Sequence, residues 1–177
     1  MSADNSVSAH VNRNRREALA RTRETWLPTC AGTYVLIVEA SARRCVQVGA
    51  LGALTVMPGF YAYVGSARGP GGLAARLAHH RRRNRIRHWH IDYLRRHTAL
   101  REIWLTRDPE NHEHAWAVVL GRCPGATIPL ARFGATDCGC RSHLFRFTRT
   151  PRLSTFRRRL VAAGAPLGLA SDPEVVR

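Results

Sequence analysis

The sequence predicts an α+β domain, a small and mostly antiparallel central sheet flanked by helices. Three observations predict it. Short β-branched and aromatic runs, "GTYVLIVEA", "CVQVG", "LTVMPG" and "FYAYVGS", crowd into residues 32–66 with glycines between them. Mixed helical and strand patterns then follow, an order that favours α+β over alternating β-α units. Finally, 177 residues with 45% apolar content suffice for one well-packed core and fall short of two generous ones.

The elements follow in order. Residues 1–28 are polar and Arg-rich, close with Pro28, and read as a flexible basic arm. The domain proper is expected over 29–150, with a basic C-terminal helix and tail over 151–177. "GTYVLIVEA" is a buried strand bounded by Gly32 and the polar "SARR"; the next three runs suggest an antiparallel meander. "GLAARLAHHRRR" places Leu73 and Leu77 one helical turn apart. "IDYLRRHT" reads as a second helix and "LREIWLT" as a further strand. In "DPENHEHAWAVVLGRC", Asp108 is the expected N-cap and Pro109 the first helical residue. Gly- and Pro-rich loops, a short strand "HLFRF" and the helix "RLSTFRRRLVAAG" complete the chain.

The net charge of +16 comes from 28 basic residues, all of them Arg, against 12 acids. The excess is local. From Arg68 to Arg101 there are ten Arg and one acid, Asp92, and from Arg141 to Arg159 seven Arg and no acid. Histidines and aromatics interleave the first cluster, "RRRNRIRHWHIDYLRR", as on a surface that grips phosphates and stacks bases. A nucleic-acid partner is therefore expected, with Arg68, His80, Arg81, Arg82, Arg83, Arg85 and Arg87 as the grip. No apolar run approaches the roughly 18 residues of a membrane span, and the N-terminus shows no secretory h-region. A cytoplasmic location is expected, and the odd count of five cysteines fits reduced thiols.

Strand alternation sets Tyr61 and Tyr63 on one face of "FYAYVG". On the following helix Arg76, His79, His80 and Arg83 share a side. Glu113 lies on the apolar stripe formed with Trp116, Ala117 and Leu120, where a carboxylate must be paired or hold a cation.

In this arrangement "GTY" at 32–34, "YVG" at 63–65, Arg76 and Glu113 resemble the GIY-YIG endonuclease superfamily. The wider series "YAYVGSARGPGGLAARL", "RHWHIDYL" and "FGATDCGCRSHLF" is similar to its Uri-type subgroup, over about residues 30–150. The resemblance implies a nuclease in which Tyr34 helps deprotonate the attacking water and Tyr63 orients the phosphate or shares that task. It further implies that Arg76 holds the scissile phosphate, that Glu113 binds Mg2+ or Mn2+, and that a histidine follows the arginine. His80, His88 and His90 are candidates for that histidine, and spacing favours His90. Ser66 stands where many relatives carry lysine, with Arg68 as its substitute, and 29 residues separate Tyr34 from Tyr63. Without an attached recognition domain, sequence specificity would have to come from a partner protein.

"CGCRSH" raises a second metal possibility. Cys138, Cys140 and His143 are soft ligands, but C-x-C-x-x-H lacks an obvious fourth, for which Cys123 or His112 would have to serve. The plain alternative is a turn packed under the sheet. The two histidines of "HEH", His112 and His114, diverge on a helix and do not readily share one ion.

Overall fold

The computed structural model describes residues 29–82 and 87–165, and the backbone of 174–176. The basic arm expected over 1–28, and Arg83 and Arg85 of the expected grip, lie outside the described residues. The element order is β1 (Gly32–Ala40), β2 (Arg44–Gln47), β3 (Ala53–Val56), β4 (Gly59–Ala67), α1 (Gly72–Arg81), α2 (His90–Arg95), β5 (Ala99–Thr106), α3 (Glu113–Gly121), β6 (Leu144–Phe147), α4 (Leu153–Ala162) and β7 (Glu174–Val176). The fold is α+β, with a five-stranded sheet in the order β6-β4-β1-β5-β7. Every neighbouring pair in it is antiparallel.

The expected meander is corrected. β2 and β3 pair with each other in a separate two-stranded sheet, and β1 pairs directly with β4 over nine registered positions, Gly32↔Ala67 through Ala40↔Gly59. Length decides this, because two nine-residue strands offer each other far more ladder hydrogen bonds than either could gain from a four-residue neighbour. The short hairpin instead turns Val46, Leu54 and Val56 onto the apolar cluster.

β1 is buried along both faces because both faces of the sheet are covered. On one side Tyr34, Leu36, Val38, Tyr61 and Tyr63 pack with Leu73 and Leu77 of α1, Ile91 and Leu94 of α2, and the hairpin. On the other, Val35, Ile37, Ala62 and Val64 pack with Trp116 and Leu120 of α3 and with Phe156 and Leu160 of α4. Helix α4 is thus part of the core and not an appendage beyond residue 150: Phe156 stacks on Trp104 at 5.6 Å and meets Trp116 edge-on at 5.4 Å. No helix among the described residues is long and apolar enough to cross a membrane.

The start of α3 also differs from expectation. Asp108 and Pro109 precede the helix, which begins at Glu113. Asp108 Oδ1 accepts the Glu110 N–H at 2.9 Å, its other oxygen lies 3.0 Å from His112 Nε2, and the His112 N–H donates to Thr33 Oγ1 at 3.1 Å. These local bonds give the 108–112 backbone a turn in place of a first helical turn. The consequence is functional, since Glu113 now sits at the mouth of the helix, beside the end of β1.

Candidate functional site

The site is built where β1, β4, α1 and α3 meet. Tyr34 pairs in register with Gly65 across β1 and β4, and its ring lies over that glycine: a Cβ at Gly65 would stand 2.5 Å from the Tyr34 hydroxyl oxygen. The glycine of "YVG" therefore makes room for the tyrosine of "GTY". Tyr63 lies on the same face and is edge-on to Phe133 at 6.1 Å. Gly134, at φ 70°, passes so close to Tyr63 that a Cβ there would meet the ring at 2.9 Å.

Arg76 and His80 come from one face of α1. The Arg76 guanidinium carbon lies over the Trp89 ring, 3.9 Å from its centroid, a cation–π contact that helps hold the cation in place. His80 is 2% exposed and its Nε2 is 2.8 Å from the Tyr34 hydroxyl oxygen. Burial pushes its pKa down to about 3, so the ring is neutral. Burial pushes Tyr34 well above the ordinary tyrosine value, and the nearby Tyr63 adds to this while the charge of Arg76 opposes it. Burial also raises Tyr63, with Glu113 adding and Arg76 opposing. Both phenols are consequently neutral.

Glu113 completes the wall from the other side of the sheet. Ser66 Oγ donates to its Oε2 at 2.7 Å, and His143 Nδ1 stands 3.1 Å from Oε1 in an ion-pair contact whose angle is not that of a hydrogen bond. The carboxylate is thus aimed, not loose. His90 Nδ1 accepts the Gly134 N–H at 3.0 Å, so a neutral His90 carries its hydrogen on Nε2 and offers a donor. Burial lowers its pKa.

These groups line one cleft of about 430 Å³. Tyr34, Tyr63, Arg76, His90 and Glu113 are all on its wall. The expected phosphate grip fares less evenly. His80 is corrected outright, since it is buried behind Tyr34 and presents no surface to a backbone. It, and not His90, is the histidine that contacts Tyr34. Arg68 is exposed but not on the cleft wall, and donates to the Pro109 carbonyl at 2.8 Å. Arg82 and Arg87 are exposed and Arg81 is half-buried, with Arg87 5.0 Å from the Tyr93 ring centroid.

The cleft also contains residues that the sequence did not single out for it: Ser66, Trp89, Asn111, His114 and His143. Ser66 was visible only as a missing lysine. Trp89 carried a signal, an aromatic inside an Arg-rich segment, which pointed to base stacking and not to a platform for Arg76.

Among the described residues, three groups have ligand atoms close enough to share a metal ion: His114, Cys138 and Cys140; His79, His80 and Asp92; and Asp108, Glu110 and His112. A family model, "Domain of unknown function DUF123", matches residues 33–164, a span covering β1 to α4 and every cleft residue. No curated protein and no solved structure gives a significant match.

Proposed function

Because the chain belongs to the DUF123 family, whose description leaves the chemistry to be read from the site, we propose that it is a divalent-cation-dependent endonuclease of the GIY-YIG kind. It would hydrolyse phosphodiester bonds in DNA. The observation that carries the proposal is the convergence of Tyr34, Tyr63, Arg76 and Glu113, which span 80 positions of sequence, on one polar cleft. The charge of +16 supplies a reason for a polyanion to enter it.

On this reading each residue has a task. Arg76, held over Trp89, is a positioned cation for a non-bridging phosphate oxygen. Tyr34 can take a proton from water only as its own proton leaves, and neutral His80, 2.8 Å away, is the group in contact able to receive it. The phenol stays neutral through such a relay, which avoids creating a buried phenolate. An arriving phosphate brings negative charge and raises the proton affinity of His80, so binding favours the transfer. Tyr63 and His90 Nε2 are donors for the phosphate.

Glu113 fits a hard cation. It is a carboxylate on the cleft wall with its orientation fixed by Ser66, and a magnesium or manganese ion held there would take its other ligands from water and phosphate. Such an ion supplies Lewis-acid neutralisation of the charge developing on phosphorus oxygens.

Nicking of supercoiled plasmid tests the reading, with Mg2+, Mn2+ or chelator. Wild type should nick with either cation and not in chelator, and Glu113→Ala and Arg76→Ala should each lose about a hundredfold while still shifting DNA in a gel. If wild type and Glu113→Ala give the same background while both bind, the protein is a nucleic-acid-binding module without turnover.

A further inference from the structure

The loop between α3 and β6 carries the cysteine-rich segment of the sequence, and the structure supplies the ligand that sequence spacing lacked. Cys123 is not that ligand: it is buried in the α3 side of the core with its thiol 3.6 Å from the Val119 carbonyl. His112 is not either, being paired with Asp108. The side chain that arrives is His114, one residue past Glu113. Neighbouring helical positions point about 100° apart, so Glu113 turns to Ser66 while His114 turns to the loop.

We propose that His114, Cys138, Cys140 and His143 form a Cys2His2 site that holds a structural zinc ion and fastens the 136–143 loop to the start of α3. The ligand atoms of His114, Cys138 and Cys140 all lie within 4.8 Å of one another. Cys140 Sγ is 3.8 Å from His114 Nδ1, and Cys138 Sγ is 3.5 Å from His143 Nε2. Zinc bonds of about 2.0 Å to nitrogen and 2.3 Å to sulfur, in a tetrahedron, put ligand atoms roughly 3.5–4 Å apart. Two thiols and one imidazole are thus gathered around one point, with His143 joined to them through Cys138 and needing only a small shift to close the tetrahedron, a donor set that suits zinc and not the hard cation assigned to Glu113.

The loop is braced for the purpose. Arg132 adopts φ 62°, a conformation uncommon outside glycine, and its guanidinium donates to the carbonyls of Thr136, Cys138 and Cys140. Main-chain bonds Arg132 N–H to Arg141 O (2.7 Å) and His143 N–H to Phe133 O (2.8 Å) close the base of the loop. A histidine bound to metal through Nε2 carries its hydrogen on Nδ1, and Glu113 Oε1 lies 3.1 Å from that atom, in contact although not at a hydrogen-bonding angle. His143 therefore links the zinc site to the cleft wall. The inference stands on these side chains whether or not the cleft hydrolyses phosphodiesters.

Two measurements on the full chain test it. Protein expressed with zinc and freed of loose metal should retain about one zinc per chain, and cobalt substitution should give tetrahedral d–d bands with thiolate charge transfer. Cys138→Ser and Cys140→Ser should each abolish that spectrum, and His114→Ala should weaken metal affinity at least tenfold. The second measurement needs no variant: zinc should protect two thiols per chain from a thiol reagent, whereas exposed Cys30 and Cys45 should react at once with or without it, and Mg2+ should protect none. Wild type that retains no stoichiometric zinc and shows no thiol protection overturns the proposal, as does wild-type zinc content in both cysteine variants. Plasmid nicking reports separately on the cleft.

Discussion

The contact of Tyr34 with Gly65 shows how tightly single atoms govern this site. A methyl group at residue 65 would overlap the phenol oxygen, so Gly65→Ala must push Tyr34 away from His80. Nicking should fall about a hundredfold, the usual cost of an ångström-scale misplacement, with DNA binding within about twofold; full nicking by this variant would remove Tyr34 from the chemistry. His80 gives a prediction in pH. Its folded pKa is about 3 against an ordinary 6.5, so the stability it contributes is fully present above pH 6.5 and is lost as pH falls toward 3. Denaturant midpoints should therefore decline below pH 6.5 by up to about 1.4 kcal/mol per pH unit from this residue, and His80→Asn should flatten that slope. Both tyrosines, the arginine and the glutamate singled out from the sequence lie on the cleft wall, as does His90. That His80 is the histidine touching Tyr34 was not legible, because spacing gives helix faces but not which face meets the sheet.

At the scale of elements, local chemistry decides where helices begin. Asp92 Oδ2 accepts the N–H groups of His88 and Trp89, at 2.9 and 3.0 Å, and Oδ1 is 3.0 Å from His79 Nε2. One carboxylate thereby caps α2, positions Trp89 under Arg76 and ties α2 to α1. Asp92→Ala should cost about 1–2 kcal/mol in chemical denaturation, and should lower nicking beyond what Trp89→Phe does, because the platform itself is displaced. The beginning of α3 was misread for a related reason: Asp108 with Pro109 is a sound helix start in isolation, but bonds to Glu110, His112 and Thr33 win. Thr33, the middle residue of "GTY", is what draws that loop in. Such a contact joins residues 79 apart and leaves no trace in local pattern.

Across the whole molecule, the fold class was legible because apolar periodicity reports which faces are buried, and two layers of helix on one sheet follow from it. The extent of the domain was less so, since the Arg-rich face of α4 hides the two residues that anchor it. Phe156→Ala should destabilise by about 3–5 kcal/mol, measured by thermal unfolding, and unfold the domain as one unit; a small effect would restore α4 as an appendage. Charge should show itself in salt dependence. Replacing Arg81 and Arg82 with Gln should reduce the slope of log binding constant against log salt by about two without changing the cation requirement of nicking. The pairing of β1 with β4 has a last consequence for how such a protein can vary. Tyr34 and Tyr63 are brought together by strand register, so their spacing of 29 positions in sequence does not set their separation. Turn residues of the connecting hairpin can be added or removed without moving either tyrosine, while a one-residue insertion within β1 reverses the parity of the strand and delivers the Tyr34 phenol to the tryptophan side of the sheet. Odd or even position within the strand, and not distance along the chain, is what keeps the two phenols on one face.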